Sequence, residues 1–157
     1  MQTWDKIWIN VARDVALKSP DFNTKVGAVI VDKQHHIKSV GFNGFMRQID
    51  DEVLPRTRDK VVISHQHLTV TTDKYPWMIH AEINAILACE HRPIDCVLYC
   101  THLPCLQCYQ FIANSGITEI VYPRNTVVQM CNNKEAQQML ELAQLLTSHY
   151  LTVRTIE

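Results

Sequence analysis

At 157 residues the chain has the length of one domain, able to bury about two-thirds of the surface its unfolded form exposes. Hydrophobic residues make up 46% and charged residues 20%, which excludes a disordered chain, and the formal net charge of -1 excludes a global attraction to nucleic acid or anionic membrane while leaving local basic patches open. No apolar run approaches membrane-spanning length, and no charged leader with an apolar run and a small-residue cleavage site opens the sequence, so a cytoplasmic location is expected.

Trp4, Ile7, Trp8, Val11, Val15 and Ala16 recur at helical spacing, which predicts a helix from about Trp4 to Lys18 with both tryptophans in its buried stripe. Asp21 to Thr24 reads as a turn. Val26-Gly-Ala-Val-Ile-Val31 is nearly continuous in apolar character, so it predicts a strand buried on both faces. The chain then turns through Asp32 to His36 into Ile37-Lys-Ser-Val-Gly-Phe-Asn43, giving a hairpin with His35 and His36 solvated at its tip. Asn43 ends that strand within Gly41-Phe-Asn-Gly44, where glycine backbone is expected to let a ligand come close. Its amide donates and accepts, as a base edge or sugar hydroxyl requires, although Asn-Gly alone is more often a turn.

Phe45 to Met78 shows no clear period, which predicts a functional loop or insertion over about 45–78 with short helical or extended pieces inside it. His65 and His67 fall there, and they read more readily as two faces of a strand than as a second metal site. A helix follows from His80 to Glu90, then a strand Cys96-Val-Leu-Tyr-Cys-Thr-His102, a helix from Cys105 to about Ser115 stopped by Gly116, and a strand Glu119 to Tyr122 closed by Pro123. Lys134 to about Leu146 is helical and Tyr150 to Ile156 is a final strand. This order predicts a single α/β domain over 1–157, three-layer αβα, with a mixed five-stranded sheet whose last two strands are parallel.

Two motifs carry the chemistry: His80-Ala-Glu82 and Pro104-Cys-Leu-Gln-Cys108. Residues two apart point to nearly opposite sides of a helix, so His80 and Glu82 converge only on something just beyond the helix N-terminus. Cys105 and Cys108 share a face, and Pro104 suits the turn that opens their helix. One imidazole and two thiolates give three zinc ligands with the fourth tetrahedral position free, the pattern of a catalytic rather than a closed site. The positive ends of both helices would offset the negative charge of such a centre. The other cysteines, Cys89, Cys96, Cys100 and Cys131, are expected to be buried or free thiols, since a Cys-x-x-Cys beside a histidine motif favours metal in a reducing cell.

His-x-Glu followed by Pro-Cys-x-x-Cys is the signature of zinc deaminases acting on bases. Lys25-Val-Gly-Ala-Val-Ile-Val31, Gly41-Phe-Asn-Gly44, Asp50-Asp51 and Lys74-Tyr-Pro76 ahead of His80-Ala-Glu-Ile-Asn-Ala-Ile86 further resemble deoxycytidylate (dCMP) deaminases, over roughly Lys25 to Tyr122 and in matching order. The resemblance implies a cytidine-deaminase-like fold and hydrolysis at C4 of dCMP to dUMP and ammonia, supplying dUMP for thymidylate synthesis. It implies His80, Cys105 and Cys108 as Zn²⁺ ligands, Glu82 as the proton shuttle, and the Ala81 amide and Asn43 as contacts to base and sugar. Lys25, Lys74 and Tyr75 are carried over as candidate phosphate or ring contacts.

The sequence departs from the family after Tyr122. Where relatives often carry a tyrosine near the pyrimidine, it reads Pro123-Arg-Asn-Thr-Val127, so either Arg124 contacts phosphate or the pocket admits a 5-substituted cytosine. Phe45-Met-Arg-Gln-Ile49 lacks the Pro and Gly of regulated relatives, yet Asp50 and Asp51 leave open an acidic contact to Mg²⁺ on a nucleotide effector. A small deoxynucleotide is the expected partner, with a homo-oligomer, a hexamer by analogy, and no membrane. Three other readings stand beside dCMP: a 5-substituted dCMP or dCTP; a nucleic-acid substrate of the transfer-RNA adenosine type, disfavoured by the lack of a basic rim; and a zinc-stabilised module without chemistry, for which Glu82 has little use.

Overall fold

In the computed structural model residues 3–49, 54–126 and 134–157 are described. Helix α1 spans Trp4–Ala16 and opens on Thr3, whose side chain accepts the Lys6 N–H. Strands β1 (Gly27–Val31) and β2 (Ile37–Phe42) form the expected antiparallel hairpin. Its turn is held by Asp32, whose carboxylate accepts the N–H groups of Gln34 and His36 at 2.9 Å each. β3 (Gly44–Phe45) pairs with β6 (Met78–Ile79), and between them lies a hairpin of β4 (Val61–His65) and β5 (Leu68–Thr72). A 3-10 turn over Tyr75–Trp77 leads into β6. Next come α2 (Ala81–Ala88), β7 (Val97–Cys100), α3 (Leu106–Ser115), β8 (Glu119–Pro123), α4 (Lys134–Thr147) and β9 (Thr152–Ile156).

The main sheet has the order β2-β1-β7-β8-β9. β7, β8 and β9 run parallel and β1 is antiparallel to both its neighbours, so the sheet is mixed and five-stranded as predicted. β1 is buried at every position, because α1 covers one face and α2 with α3 covers the other. On the α1 side Trp8, Ile9 and Ala12 pack on Val29, Val31, Tyr99 and Val121. On the other, Ala81, Ala85, Cys108, Tyr109 and Ile112 pack on Ala28, Ile30, Leu98, Cys100 and Ile120, with Leu140 of α4 joining them. Alternate residues of each strand therefore serve separate cores, which is the three-layer arrangement.

Several local expectations change. Trp4 is not core: it is about half exposed, stacked on Trp8 and on His35, which stays exposed at the hairpin tip. The 45–78 segment holds a regular hairpin, with a two-residue turn at Gln66 and His67 and Gln66 at φ 51. Gly41 approaches protein backbone and not a ligand: a Cβ there would lie 2.3 Å from both the Ala81 carbonyl oxygen and the Ala85 nitrogen of α2. Gly116 does end α3, at φ 98. Cys89, Cys96 and Cys100 are free thiols as expected, whereas Cys131, Asp50, Asp51 and Val127 lie outside the described residues. The reading of His65 and His67 involves the His65 side chain, which also lies outside them. No helix among the described residues is long and apolar enough to cross a membrane.

Candidate active site

The site is built at two helix starts that the sheet holds side by side. His80 is the N-cap of α2 and Cys105 the N-cap of α3, each with extended backbone, and the His80 side chain makes no capping bond to α2. Their carbonyls do begin the helical ladders, accepting the N–H of Asn84 at 3.0 Å and of Tyr109 at 2.9 Å. The cap side chains face each other instead. His80 Nδ1 lies 3.2 Å from Cys108 Sγ and 3.5 Å from Cys105 Sγ, and the three ligand atoms all fall within 4.8 Å of one another.

Those separations can be tested against an ion. Tetrahedral zinc with its usual bond lengths places a nitrogen and a sulfur ligand about 3.5 Å apart. The observed distances match, so the residues fit Zn²⁺ through His80 Nδ1 and both sulfurs without rearrangement. Protonation favours it as well. Cys105 is pulled down to about 4 by a hydrogen bond from the Cys108 thiol, with His80 adding to the effect, while the proton shared by the pair stays on Cys108. Metal binding replaces that proton.

Glu82, one residue into α2 from Ala81, is buried, and burial pushes its carboxyl above the ordinary range. A carboxyl poised upward in a dry site is suited to take and return a proton near neutral pH. The position of α2 is fixed by more than the close approach at Gly41. Ser39 Oγ donates to the Ala85 carbonyl at 2.7 Å, and Asn84 Nδ2 donates to the Phe42 carbonyl at 2.9 Å. β2 thereby holds the helix that carries two of the four residues.

A pocket opens over these groups, with Val26, Met78, Leu103 and Pro104 as apolar wall. Of the residues expected to contact substrate, Asn43, Ala81, Lys74 and Tyr75 line it, and Lys25 and Arg124 do not. Lys25 turns away, its ammonium donating to the carbonyls of Leu17 at 3.2 Å and Ser19 at 2.8 Å. Arg124 is exposed, its backbone N–H bonded to Ile156 at the end of β9. Asn43 is largely committed to the fold: its Oδ1 accepts the Val26 N–H at 2.7 Å, and its Nδ2 donates to the Thr24 carbonyl at 2.9 Å and Asp21 Oδ2 at 3.3 Å. Lys74 is buried against Asp21 at 2.5 Å and donates to Asn23 Oδ1 at 3.2 Å. Asp21 in turn accepts the Asn23 and Thr24 N–H groups, closing the turn that forms one wall.

Among the polar lining residues, Asp21, Thr24, Arg58 and His102 are not ones the sequence marks as site residues. The sequence predicts His102 at the end of a strand, but β7 ends at Cys100. Thr101 Oγ1 accepts the Gly27 N–H at 3.1 Å and lies 2.9 Å from His102 Nδ1, and burial lowers the pKa of that imidazole.

A three-layer sheet whose facing helix starts bear a His-Cys-Cys cradle and a buried glutamate defines the zinc deaminase class. Residues 2–124 match the cytidine and deoxycytidylate deaminase zinc-binding region, and the chain belongs to that family. It is 32% identical over 139 residues to a probable deoxycytidylate deaminase of Drosophila melanogaster, covering 88% of this chain and 68% of the relative. It is 33% identical over 122 residues to the deoxycytidylate deaminase of Homo sapiens, covering 76% and 64%. A Caenorhabditis elegans probable deoxycytidylate deaminase is 34% identical over 119 residues, covering 75% and 56%, so the chain spans a little over half to two-thirds of these relatives. The fold is shared with the crystal structure of dCMP deaminase from cyanophage S-TIM5 in complex with dCMP and dUMP, with TM-score 0.69 and 20% identity over 99% of both chains.

Proposed function

We propose that the chain deaminates dCMP hydrolytically to dUMP and ammonia, with His80, Cys105 and Cys108 as zinc ligands and Glu82 as proton shuttle. The observation that carries the reading is the cradle with Glu82 buried beside it at one apolar pocket. Family membership and relatives named as deoxycytidylate deaminases support the choice of substrate. Bound zinc supplies a water acidified to near neutrality. The Glu82 carboxyl would take one proton from the water that adds to C4 and deliver it to N3, then take the proton of the new C4 hydroxyl and deliver it to the amine, which leaves as ammonia. The Ala81 N–H, in the first turn of α2, has no acceptor within the helix ladder and is positioned to hold the base. Leu103, Pro104 and Met78 exclude bulk water from the ring.

The finer readings belong to the same proposal. A homo-oligomer is supported by exposed apolar side chains on the helices, among them Leu87, Phe111, Leu142, Leu145 and Leu146. A cytoplasmic location and dUMP supply for thymidylate synthesis follow from the family. An Mg²⁺-bound nucleotide effector rests on Asp50 and Asp51, outside the described residues. Replacing Glu82 by Gln tests the whole. Turnover of dCMP should fall about 10²- to 10⁴-fold, as loss of a general acid-base group predicts, while zinc content stays at one per chain. A Glu82→Gln variant that keeps wild-type turnover, or a wild type that releases no ammonia from dCMP, sinks the proposal.

A further inference from the structure

A nucleoside monophosphate brings a phosphate of nearly two negative charges to the pocket mouth, and something positive must meet it. Among the described lining residues the permanently charged cations are Lys74 and Arg58. Lys74 is already neutralised: it is buried, and its ammonium is bonded to Asp21 and Asn23. Lys25, the other basic residue next to β1, points its ammonium at main-chain carbonyls on the far side of the turn. Arg58 is exposed, and its guanidinium pairs with none of the described residues.

Its placement is fixed rather than incidental. Two residues earlier the Arg56 carbonyl accepts the Phe22 N–H at 3.3 Å, and the Arg56 guanidinium lies over the Phe22 ring at 5.7 Å. Both contacts tie this segment to the Asp21–Thr24 turn, so Arg58 enters the pocket rim beside that turn. Leu54 and Pro55, both buried, anchor the segment from its other side. The cap residues of α2 and α3 line the same pocket.

Resting on the deaminase reading above, we infer that Arg58 is the phosphate-binding, specificity-determining residue of this pocket: its guanidinium pairs with the 5′-phosphate and selects nucleotides over nucleosides. An exposed arginine with no partner among the described residues keeps its fork of donors available for two phosphate oxygens, an interaction a buried and paired lysine is unable to make. The cation sits at the open edge, so it reads the phosphate without entering the chemistry at the metal.

Equilibrium binding and ammonia release are measured with dCMP and deoxycytidine on the zinc-loaded full chain and its Arg58→Gln and Arg58→Lys variants. Arg58→Gln should lose about 10- to 100-fold in dCMP affinity and in kcat/KM, through KM, and change deoxycytidine by less than about twofold. Arg58→Lys, which keeps the charge without the fork, should fall between. Equal losses on both substrates mark a merely structural role and overturn the inference, as does an unchanged dCMP-to-deoxycytidine ratio. A wild type that binds dCMP in an Arg58-dependent way but releases no ammonia overturns the proposed reaction and upholds the contact. One that deaminates dCMP with the ratio unchanged in Arg58→Gln does the reverse, and one that binds neither compound overturns both.

Discussion

In the metal cradle, His80, Cys105 and Glu82 stand at the starts of two helices fixed against the sheet, whereas at the mouth of the same pocket Asp21 and Lys74 stand on a turn and a short segment that their side-chain charges tie together. Main-chain contacts depend little on which side chains neighbour them, so the cradle rests largely on the fold itself. A rim held by charge depends on each partner being present. The chemistry is therefore placed on the rigid part and substrate selection on the part that substitution alters most readily.

The Asp21–Lys74 pair is the sharpest place to break the comparison. Both side chains are nearly inaccessible, at 6% and 3%, and the pair spans 53 residues of sequence. Replacing Lys74 by Met leaves a buried carboxylate supported only by neutral donors, two backbone N–H groups and the Asn43 amide, so stability at neutral pH should fall by about 3 kcal/mol or more. Adding Asp21→Asn to the same chain should restore most of that loss, since an unpaired buried charge costs more than a missing pair. Chemical denaturation of wild type, single and double variant measures both steps. Zinc content should be unchanged throughout, and a single variant that loses zinc would show that rim and cradle are one unit.

Gly41 tests the opposite side. Its Cβ would meet α2 backbone on two atoms at 2.3 Å, and backbone has no rotamer by which to give way. Gly41→Ala should cost about 1–3 kcal/mol through overpacking. Because α2 carries His80 and Glu82, turnover should fall by more than folding loss explains, up to about 100-fold for a displacement near 1 Å. Activity and metal affinity measured below the denaturation midpoint separate the two effects. If Gly41→Ala retains full turnover, the helix position is not what fixes the carboxyl.

The same division decides what the sequence revealed. His-x-Glu and Cys-x-x-Cys are local patterns, and the argument that His80 and Glu82 meet only beyond a helix start holds because His80 is a cap and Glu82 lies in the first turn. The sheet was legible for a similar reason, since β1 is continuously apolar and the later strands alternate with helices. The rim was not. Lys74 resembled a free phosphate contact because its partner lies 53 residues away, and Lys25 resembled one because nothing local announces the carbonyls of Leu17 and Ser19. Val61 to Thr72 did carry a strand signal in its β-branched residues, but the turn at Gln66-His67 lacks the Asn-Gly that advertises a hairpin. Arg58 and His102 belong to no period at all, and only the closure of the pocket brings them to it.

His102 lies on the seam between the two regions and offers the smallest and most specific test. Thr101 Oγ1 already accepts the Gly27 N–H, so its own hydrogen is free for His102 Nδ1, which leaves the imidazole proton on Nε2 as a neutral donor. Burial favours that neutral form and lowers the pKa from 6.5. The sign follows: the unfolded chain binds the proton more readily, so the neutral ring contributes stability that is fully present above about pH 6.5 and is lost as pH falls through the lower folded value. Replacing His102 by Leu should flatten the decline of the denaturation midpoint between neutral and mildly acid pH, with a smaller effect than either variant above. Zinc ligands also protonate on acidification, but they do so in both proteins, so the difference between the two curves isolates the imidazole. A variant whose curve runs parallel to wild type means that His102 is as solvated as in the unfolded chain, and the seam is then part of the open rim rather than of the dry cradle.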